Sequence, residues 1–153
     1  MSTKIKNIGG AELLKRFQEK LTNGQRAEIR RAIKPDDLAL MPGFYRLLEG
    51  DKAWPGYRRV IFVLPFVSHI ESDATLGAAL CRAGISETRL FQVVRSNEPN
   101  DLQQLRRLLQ QSEPQVNFNS LAKKLIWWDK SKKQRIIEDF YSQLYQNEKE
   151  GKI

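Results

Sequence analysis

The chain has 153 residues, of which 41% are hydrophobic and 29% are charged, a balance that is typical of a folded protein and excludes a disordered one. Its 26 lysine and arginine residues outnumber 18 acidic residues, and the net charge of +8 favours a polyanionic partner, nucleic acid more often than a membrane. The single cysteine, Cys81, excludes a disulfide framework and a cysteine-based zinc cluster.

Helical spacing of apolar residues runs through most of the chain. Leu13, Phe17 and Leu21 share one face of a first helix, and Asn23-Gly24 is predicted to end this helix as a C-terminal cap. The later helices are predicted, in chain order, over about 25–34, 43–50, 73–83, 86–96, 100–113, 120–128 and 132–147, and residues 36–41 are predicted to form a short turn or helix. The pattern therefore predicts a largely helical protein.

One apolar segment is ambiguous. Residues 58–70, RRVIFVLPFVSHI, are rich in β-branched and aromatic residues, which favours a strand. A lone strand needs a partner, however, and no second segment of the chain has a pattern that would pair with it. We therefore interpret the segment as the central buried helix of an all-α protein, interrupted or ended at Pro65.

Two predicted helix starts carry the spacing of a capping box. Asn100 with Gln103 has this spacing, and so has Ser131 with Gln134. The second box would place Lys130 and its neighbours at the positive end of the helix dipole, where lysine is unfavourable but free backbone N–H groups can bind an anion. We therefore interpret Lys130 as part of a phosphate-binding helix start.

Residues suited to catalysis are scarce. His69 is the only histidine, and although Glu71 and Asp73 follow it, there is no second cluster of metal ligands, which favours an ordinary histidine. Cys81 lies among small apolar residues, which favours a packed thiol over a nucleophile. We predict no enzymatic activity, no metal and no cofactor.

The sequence also bears on location. The N-terminal residues lack the apolar core of a signal peptide. No run of apolar residues approaches the roughly 18 that a helix needs to span a bilayer. We therefore expect a cytoplasmic protein with no membrane partner.

Most of the excess positive charge lies between residues 102 and 137. This segment has eight cationic and two acidic residues: Arg106, Arg107, Lys123, Lys124, Lys130, Lys132, Lys133 and Arg135, with Glu113 and Asp129. Helical phase directs Arg107 and Lys123, and Arg31 in an earlier helix, away from the apolar faces. Outward cations are suited to phosphate contacts, although solvated basic faces are also common on proteins that bind no nucleic acid.

Two adjacent tryptophans, Trp127 and Trp128, precede the last predicted helix. Trp128 shares the phase of Leu121 and Leu125, so we predict that it packs in the core. For Trp127, packing and a protein interface both remain open. The sequence carries no helix-turn-helix, RNA-recognition or zinc-finger motif, so any nucleic-acid binding is expected to use the backbone and not the base sequence.

Three stretches of the sequence fit one known family when they are taken together. They are NGQRAEIRRAIKPDDLALMPGFYRLL, TRLFQVVRSNEPNDLQQLRRLLQQSEP and LIWWDKSKKQRIIEDFY. From about residue 11 to about residue 145 the chain resembles the CasB family, the small subunit of the type I-E CRISPR surveillance complex called Cascade. The resemblance implies an all-α protein of two packed helical subdomains, roughly 1–97 and 98–153, that form one compact molecule without catalytic activity.

The resemblance also implies partners and binding residues. The implied partners are the guide RNA (crRNA), the target DNA with its displaced single strand, other Cascade subunits and a second copy of the chain. The candidate nucleic-acid-binding residues at positions that match the family's basic pattern are Arg31, Arg89, Arg95, Arg106, Arg107, Lys123 and Lys130. Lys133 joins them because of its charge, and Lys132 and Arg135 rest on charge and helical phase alone. Arg106 borders a leucine face and is alternatively a buried structural residue.

Two interpretations from other functional classes compete with this one. The first is a free-standing basic helical regulator that binds DNA, and it would bind specific sequences. The second is a structural adaptor whose basic faces bind acidic partner proteins.

Overall fold

The computed structural model describes residues 8–151, so the first seven residues, on which the signal-peptide argument partly rests, lie outside the described range. The described range contains nine α-helices. They are α1 (Gly10–Lys20), α2 (Asn23–Arg30), α3 (Pro42–Leu48), α4 (Pro55–Val63), α5 (Leu76–Arg82), α6 (Glu87–Arg95), α7 (Asn100–Ser112), α8 (Phe118–Ile126) and α9 (Lys130–Lys149). Two 3₁₀-helices (Pro35–Leu40 and Leu64–Phe66) and two short strands, β1 (Ser68–His69) and β2 (Gln115–Val116), complete the fold. The predicted all-α class is confirmed.

The hydrophobic core is centred on α4. Val60, Ile61, Phe62 and Val63 occupy four consecutive positions and are all fully buried, which is expected of a helix that has neighbours on every side. These neighbours include α8, α7, α2 and the first 3₁₀-helix. Further out, α6 packs against α7, and α5 packs against α9. Helices from both predicted subdomains therefore share one core, and the boundary near residue 97 stays a prediction.

The apolar segment 58–70 is helical only in its first half. Helix α4 ends at Val63, a 3₁₀ turn carries the chain across Pro65, and Ser68–His69 then pairs in parallel with Gln115–Val116. The interpretation as a central helix that is interrupted at Pro65 is confirmed, whereas the expectation that nothing pairs with the segment was wrong. Two residues are too few to leave the alternating pattern by which a strand is recognised in a sequence.

The start of α2 differs from the prediction. Asn23-Gly24 does not end α1 but forms the first turn of α2, because Thr22 caps that helix. The Thr22 hydroxyl accepts a hydrogen bond from the Gln25 N–H at 3.1 Å, and the Gln25 side chain accepts one from the Thr22 N–H at 3.0 Å. This reciprocal pair satisfies two backbone donors that a helix start leaves free, and it outweighs the signal that Asn-Gly gives for a helix end.

Close packing of α5 against α9 depends on Gly77. A Cβ atom at this position would overlap the carbonyl oxygen of Ile136 and would lie 2.8 Å from the Cβ of Asp139. The two helix backbones therefore approach each other more closely than a side chain at residue 77 would permit. Because α9 begins beside the candidate interface described below, this contact helps to fix that surface.

Gly77→Ala is expected to lower the free energy of unfolding by about 1–3 kcal/mol, since backbone atoms of α9 would have to move to admit the methyl group. Gly24→Ala is the matched control. Its Cβ would have only the Thr22 Oγ1 atom near it, at 3.9 Å, and alanine is the better helix former. Urea unfolding of both variants checks the prediction, and equal losses of stability would contradict it.

Candidate nucleic-acid interface

The predicted cations differ in what their side chains contact. Arg31, Arg107, Lys123 and Lys130 are exposed, and none of these four side chains makes a hydrogen bond or an ion pair with another residue of the range 8–151. For the first three, this agrees with the helical phase predicted from the sequence. All four charges are therefore available to a partner.

Arg95 and Lys130 line the same cleft, at the point where the end of α6 meets the start of α9. This cleft has a volume of about 510 Å³, and we call it the basic cleft. Arg95 and Ser96 also line an adjoining cleft of about 830 Å³ that extends along α6. The Arg95 guanidinium lies 5.0 Å from the centre of the Phe91 ring, a stacked position that leaves its N–H donors free for phosphate.

The acidic residues of the basic cleft are all neutralised by cations. The three ion pairs are Asp101 with Lys133 at 2.6 Å, Asp129 with Lys132 at 3.3 Å and Glu98 with Arg59 at 3.4 Å. Arg95 and Lys130 are the remaining cations that line the cleft, and neither has an acidic partner among the described residues. Arg59 and Lys132 do not line the cleft themselves, but because they pair with two of its acids, the charges of Arg95 and Lys130 are left unbalanced in a concave surface, where field lines are focused.

Lys133 has a structural role in this surface. Its Nζ atom lies 2.6 Å from the Asp101 Oδ2 atom and donates a hydrogen bond to the Ser96 carbonyl at 2.7 Å. The indole N–H of Trp128 donates to the same Asp101 carboxylate at 2.8 Å, and the Leu102 N–H donates to its other oxygen at 2.7 Å. Asp101 is only 1% exposed. Since these contacts occupy the Lys133 ammonium, the interface proposed below does not include it.

Arg106 is enclosed by aromatic side chains. Its guanidinium carbon lies 3.9 Å from the centre of the Phe62 ring and 5.7 Å from that of Phe66. Burial, and secondly the charge of Arg107, lower the pKa of Arg106 from its usual value, while Asp37 opposes this shift. The buried Nη1 atom has no hydrogen-bond partner in the described range. This geometry fits the structural alternative for Arg106, which the proposed interface also leaves out.

Helix α7, which carries Arg107, contacts the segment that follows Arg31. No side chain caps this helix, so the predicted capping box of Asn100 with Gln103 was wrong. The Gln103 side chain instead donates to the carbonyl of Ile33 at 2.9 Å. This bond places α7, which carries Arg107, beside the segment that directly follows Arg31.

The other predicted cations have mixed surroundings. Arg89 donates a hydrogen bond to the Gln111 side chain and is half-buried. Lys124 lies 3.9 Å from Asp139, and burial lowers its pKa although the nearby carboxylate opposes the shift. Arg135 is exposed, as predicted. None of these three lines the basic cleft.

Helix α9 starts at Lys130 because Asp129 caps it. The Asp129 carboxylate accepts a hydrogen bond from the Lys132 N–H at 3.0 Å, and chiefly this bond lowers the pKa of Asp129. The predicted capping box of Ser131 with Gln134 was therefore wrong. The carboxylate also occupies a backbone donor that a phosphate would need, so the predicted anion site at the helix start is reduced to the exposed side chain of Lys130.

The two adjacent tryptophans have different environments. Trp128 packs against the core, as predicted, whereas Trp127 is 60% exposed, which rules out the packing alternative. Both line a pocket of about 400 Å³ together with Trp54, Gly56 and Ile126, which we call the tryptophan pocket. Sequence reasoning missed Trp54, because no spacing rule connects the start of α4 with the end of α8.

The residues considered for catalysis have structural partners. The His69 Nδ1 atom accepts a hydrogen bond from the Phe118 N–H at 3.0 Å, and its Nε2 atom lies 2.7 Å from the Glu71 carboxylate. Burial raises the pKa of the Cys81 thiol. Over residues 8–151 no group of three potential metal ligands is present, and none of the helices there is long and apolar enough to cross a membrane.

The described residues thus define a small helical protein with a basic cleft beside an aromatic pocket. A family profile described as CRISPR-associated protein Cse2 matches residues 25–141, and the chain belongs to this family. The sequence is 36% identical over 146 residues to the CRISPR system Cascade subunit CasB of Escherichia coli strain K12, an alignment that covers 85% of this chain and 91% of that one. The family predicted from the three sequence stretches is confirmed.

A solved structure has the same fold. It is a chain in the crystal structure of E. coli Cascade bound to a PAM-containing double-stranded DNA target. The match has a TM-score of 0.82 at 34% sequence identity, and it covers 90% of this chain and 99% of that chain.

Lys133→Ala is expected to lower the free energy of unfolding by about 3–5 kcal/mol, because it leaves the Asp101 carboxylate buried without a cation. Lys132→Ala is the matched control, since it breaks an exposed pair with Asp129 and is expected to cost less than about 1 kcal/mol. Chemical denaturation measures both losses. A loss for Lys133→Ala no larger than that for Lys132→Ala would show that the buried pair does not brace the cleft.

Proposed function

We propose that this chain is the small, non-catalytic subunit of a type I-E CRISPR surveillance complex in the cytoplasm. Membership of the Cse2 family supports this, as do the relatives, one of which is named as a Cascade subunit while the other is part of Cascade bound to a double-stranded DNA target. In this proposal its partners are the crRNA, the target DNA, other Cascade subunits and a second copy of itself.

The proposed task is to bind nucleic-acid backbone and so to stabilise the hybrid of guide RNA and target DNA together with the displaced strand. The proposal rests on two cations, Arg95 and Lys130, that have no acidic partner among the described residues. Both line a cleft whose acidic residues are neutralised by other cations. A guanidinium and an ammonium in such a groove can each neutralise a phosphate and release its counterions. Arg31, Arg107 and Lys123 extend the basic surface with further exposed cations.

Backbone contacts of this kind are sufficient for the proposed task. An RNA–DNA hybrid is about as stable as the DNA duplex that it replaces, so strand exchange is nearly balanced. A few phosphate contacts to the displaced strand are therefore enough to shift the equilibrium towards the open state. Such contacts need no base recognition, in agreement with the lack of base-reading motifs in the sequence.

Binding of single-stranded DNA by the isolated full-length chain separates the proposal from its alternatives. We expect weak affinity that is the same for different sequences and that falls steeply as salt is raised, because the contacts are to phosphates. Fluorescence anisotropy of labelled oligonucleotides at several salt concentrations measures this. Strong preference for one sequence would favour the free-standing regulator, and affinity without salt dependence, or none at all, would favour the adaptor for acidic proteins.

The double variant Arg107→Glu with Lys130→Glu is expected to weaken strand opening by the assembled complex without unfolding the protein. Both side chains are exposed and unpaired, so reversal of their charges repels phosphate and breaks no contact within the chain. Strand opening is measured with a base-analogue fluorophore in the target duplex, and folding is measured by thermal unfolding.

Lys20→Glu with Lys149→Glu is the control for that experiment. These lysines are also exposed, and the change in net charge is the same, but neither lines the basic cleft and neither is among the cations proposed above to extend the basic surface. We expect little effect on strand opening. Equal defects in the two double variants would show that net charge matters and the position of the cations does not.

A further inference from the structure

All three tryptophans of the chain line a single pocket. Besides Trp54, Trp127 and Trp128, its walls come from the first turns of α4 and the end of α8. Burial of an indole is among the largest apolar contributions to folding, yet Trp127 is 60% exposed. A concave, aromatic surface with an exposed indole at its edge is characteristic of a binding site.

The pocket is held in shape by contacts beneath it. At Gly56 a Cβ atom would lie 2.8 Å from both the Cα and the carbonyl oxygen of Ile126, so α4 and α8 meet there without a side chain between them. The Arg59 guanidinium donates to the carbonyls of Leu125 and Ile126, each at 2.5 Å. These bonds fix the end of α8, from which Trp127 extends. A preformed site loses little conformational entropy when it binds a ligand.

The tryptophan pocket adjoins the basic cleft. Trp128 and Asp129 line both. Lys130 lies on the cleft side of this boundary, and at the pocket the Lys52 Nζ atom lies 4.3 Å from the centre of the Trp54 ring. Among the described residues, the one acid that lines the pocket, Asp129, pairs with Lys132, so the charges of Lys130 and Lys52 beside the aromatic walls are not offset by it. A chain that is both aromatic and anionic fits this arrangement.

We propose that the tryptophan pocket receives one unstacked base of a single-stranded nucleic acid whose neighbouring phosphates lie along Lys130 and the basic cleft. The inference rests on the proposed function and adds a base contact to it. Stacking on an indole suits every base, since each has a π-face. The charged groups of the pocket already have partners, since Arg59 donates to backbone carbonyls and Asp129 pairs with Lys132, so neither charge is left to select one base. An apolar side chain of a partner protein would fill the volume but would leave the flanking cations without a counterpart.

The experiment compares two oligonucleotides that differ only in their bases. The full-length chain is titrated with an oligothymidylate of about 16 nucleotides and with an abasic oligonucleotide of the same length. Because every tryptophan of the protein lines the pocket and, of the three, Trp128 alone also lines the basic cleft, tryptophan fluorescence reports chiefly on this site. We expect the oligothymidylate to quench the fluorescence strongly, whereas the abasic strand should bind through its phosphates, as measured by anisotropy of an end label, with much less quenching, because in the basic cleft it can reach only Trp128.

Variants at the exposed indole test the stacking contact. Trp127→Ala is expected to weaken oligothymidylate binding about tenfold, with no change for the abasic strand or in the salt dependence of binding, because no phosphate contact is lost. Trp127→Phe keeps an aromatic face and is expected to retain most of the affinity. Since Trp127 is exposed, neither substitution should alter thermal unfolding appreciably.

The possible failures of the inference and of the proposed function are distinguishable. If Trp127→Ala binds oligothymidylate as tightly as the wild type does, while both oligonucleotides still bind in a salt-dependent way, the base site is overturned and the proposed function stands. If that variant binds DNA normally but no longer joins the surveillance complex, the pocket holds a protein side chain and the base site is again overturned. If the wild type binds neither oligonucleotide, the proposed function fails and the base site fails with it.

Discussion

The buried ion pair between Asp101 and Lys133 is the contact on which the surface of this protein depends. Two charges removed from water have a large desolvation cost, which is offset only when each charge has several partners. Here the carboxylate accepts hydrogen bonds from Trp128 and Leu102, and the ammonium donates to the Ser96 carbonyl. The pair thereby connects the end of α6, the start of α7, the segment before α9 and α9 itself. The basic cleft and the tryptophan pocket share the wall that this pair holds in place.

This constraint explains how a short run of lysines comes to serve different purposes. Within KSKK, residues 130–133, Lys133 turns inward to Asp101, Lys132 pairs with Asp129, and Lys130 alone remains exposed without a partner in the described range. The carboxylate of Asp129 also supplies the negative charge that a helix start favours, which compensates for the lysines around it. The net charge of this segment therefore overstates the number of cations that can bind a polyanion, since only one of its three lysines has no partner in the described range.

The sequence predicted the helices well and their ends less well. Long periodic segments such as α7 and α9 are specified by apolar residues at helical spacing, and these were identified correctly. The ends depend on which of several nearby polar residues becomes the cap. Thr22 and Asp129 act as caps where Asn23-Gly24 and Ser131 carry equally good local signals. Which residue caps a helix is decided by the packing that fixes the chain around it, and a local pattern does not contain that information.

For the candidate interface, helical phase was informative where a cation lies opposite an apolar face, and uninformative elsewhere. Arg107 and Lys123 are exposed as their phase predicted. Lys133 and Arg106 differ because their partners, Asp101 and Phe62, lie far away in the sequence, and no single-helix pattern identifies contacts between distant segments. Trp54 was missed for the same reason. To assign the role of a basic residue in this protein, one must therefore first ask whether its side chain already contacts a buried acid or an aromatic ring. A cation with such a partner stabilises the walls of the cleft. Only a cation without one can neutralise a phosphate in the cleft.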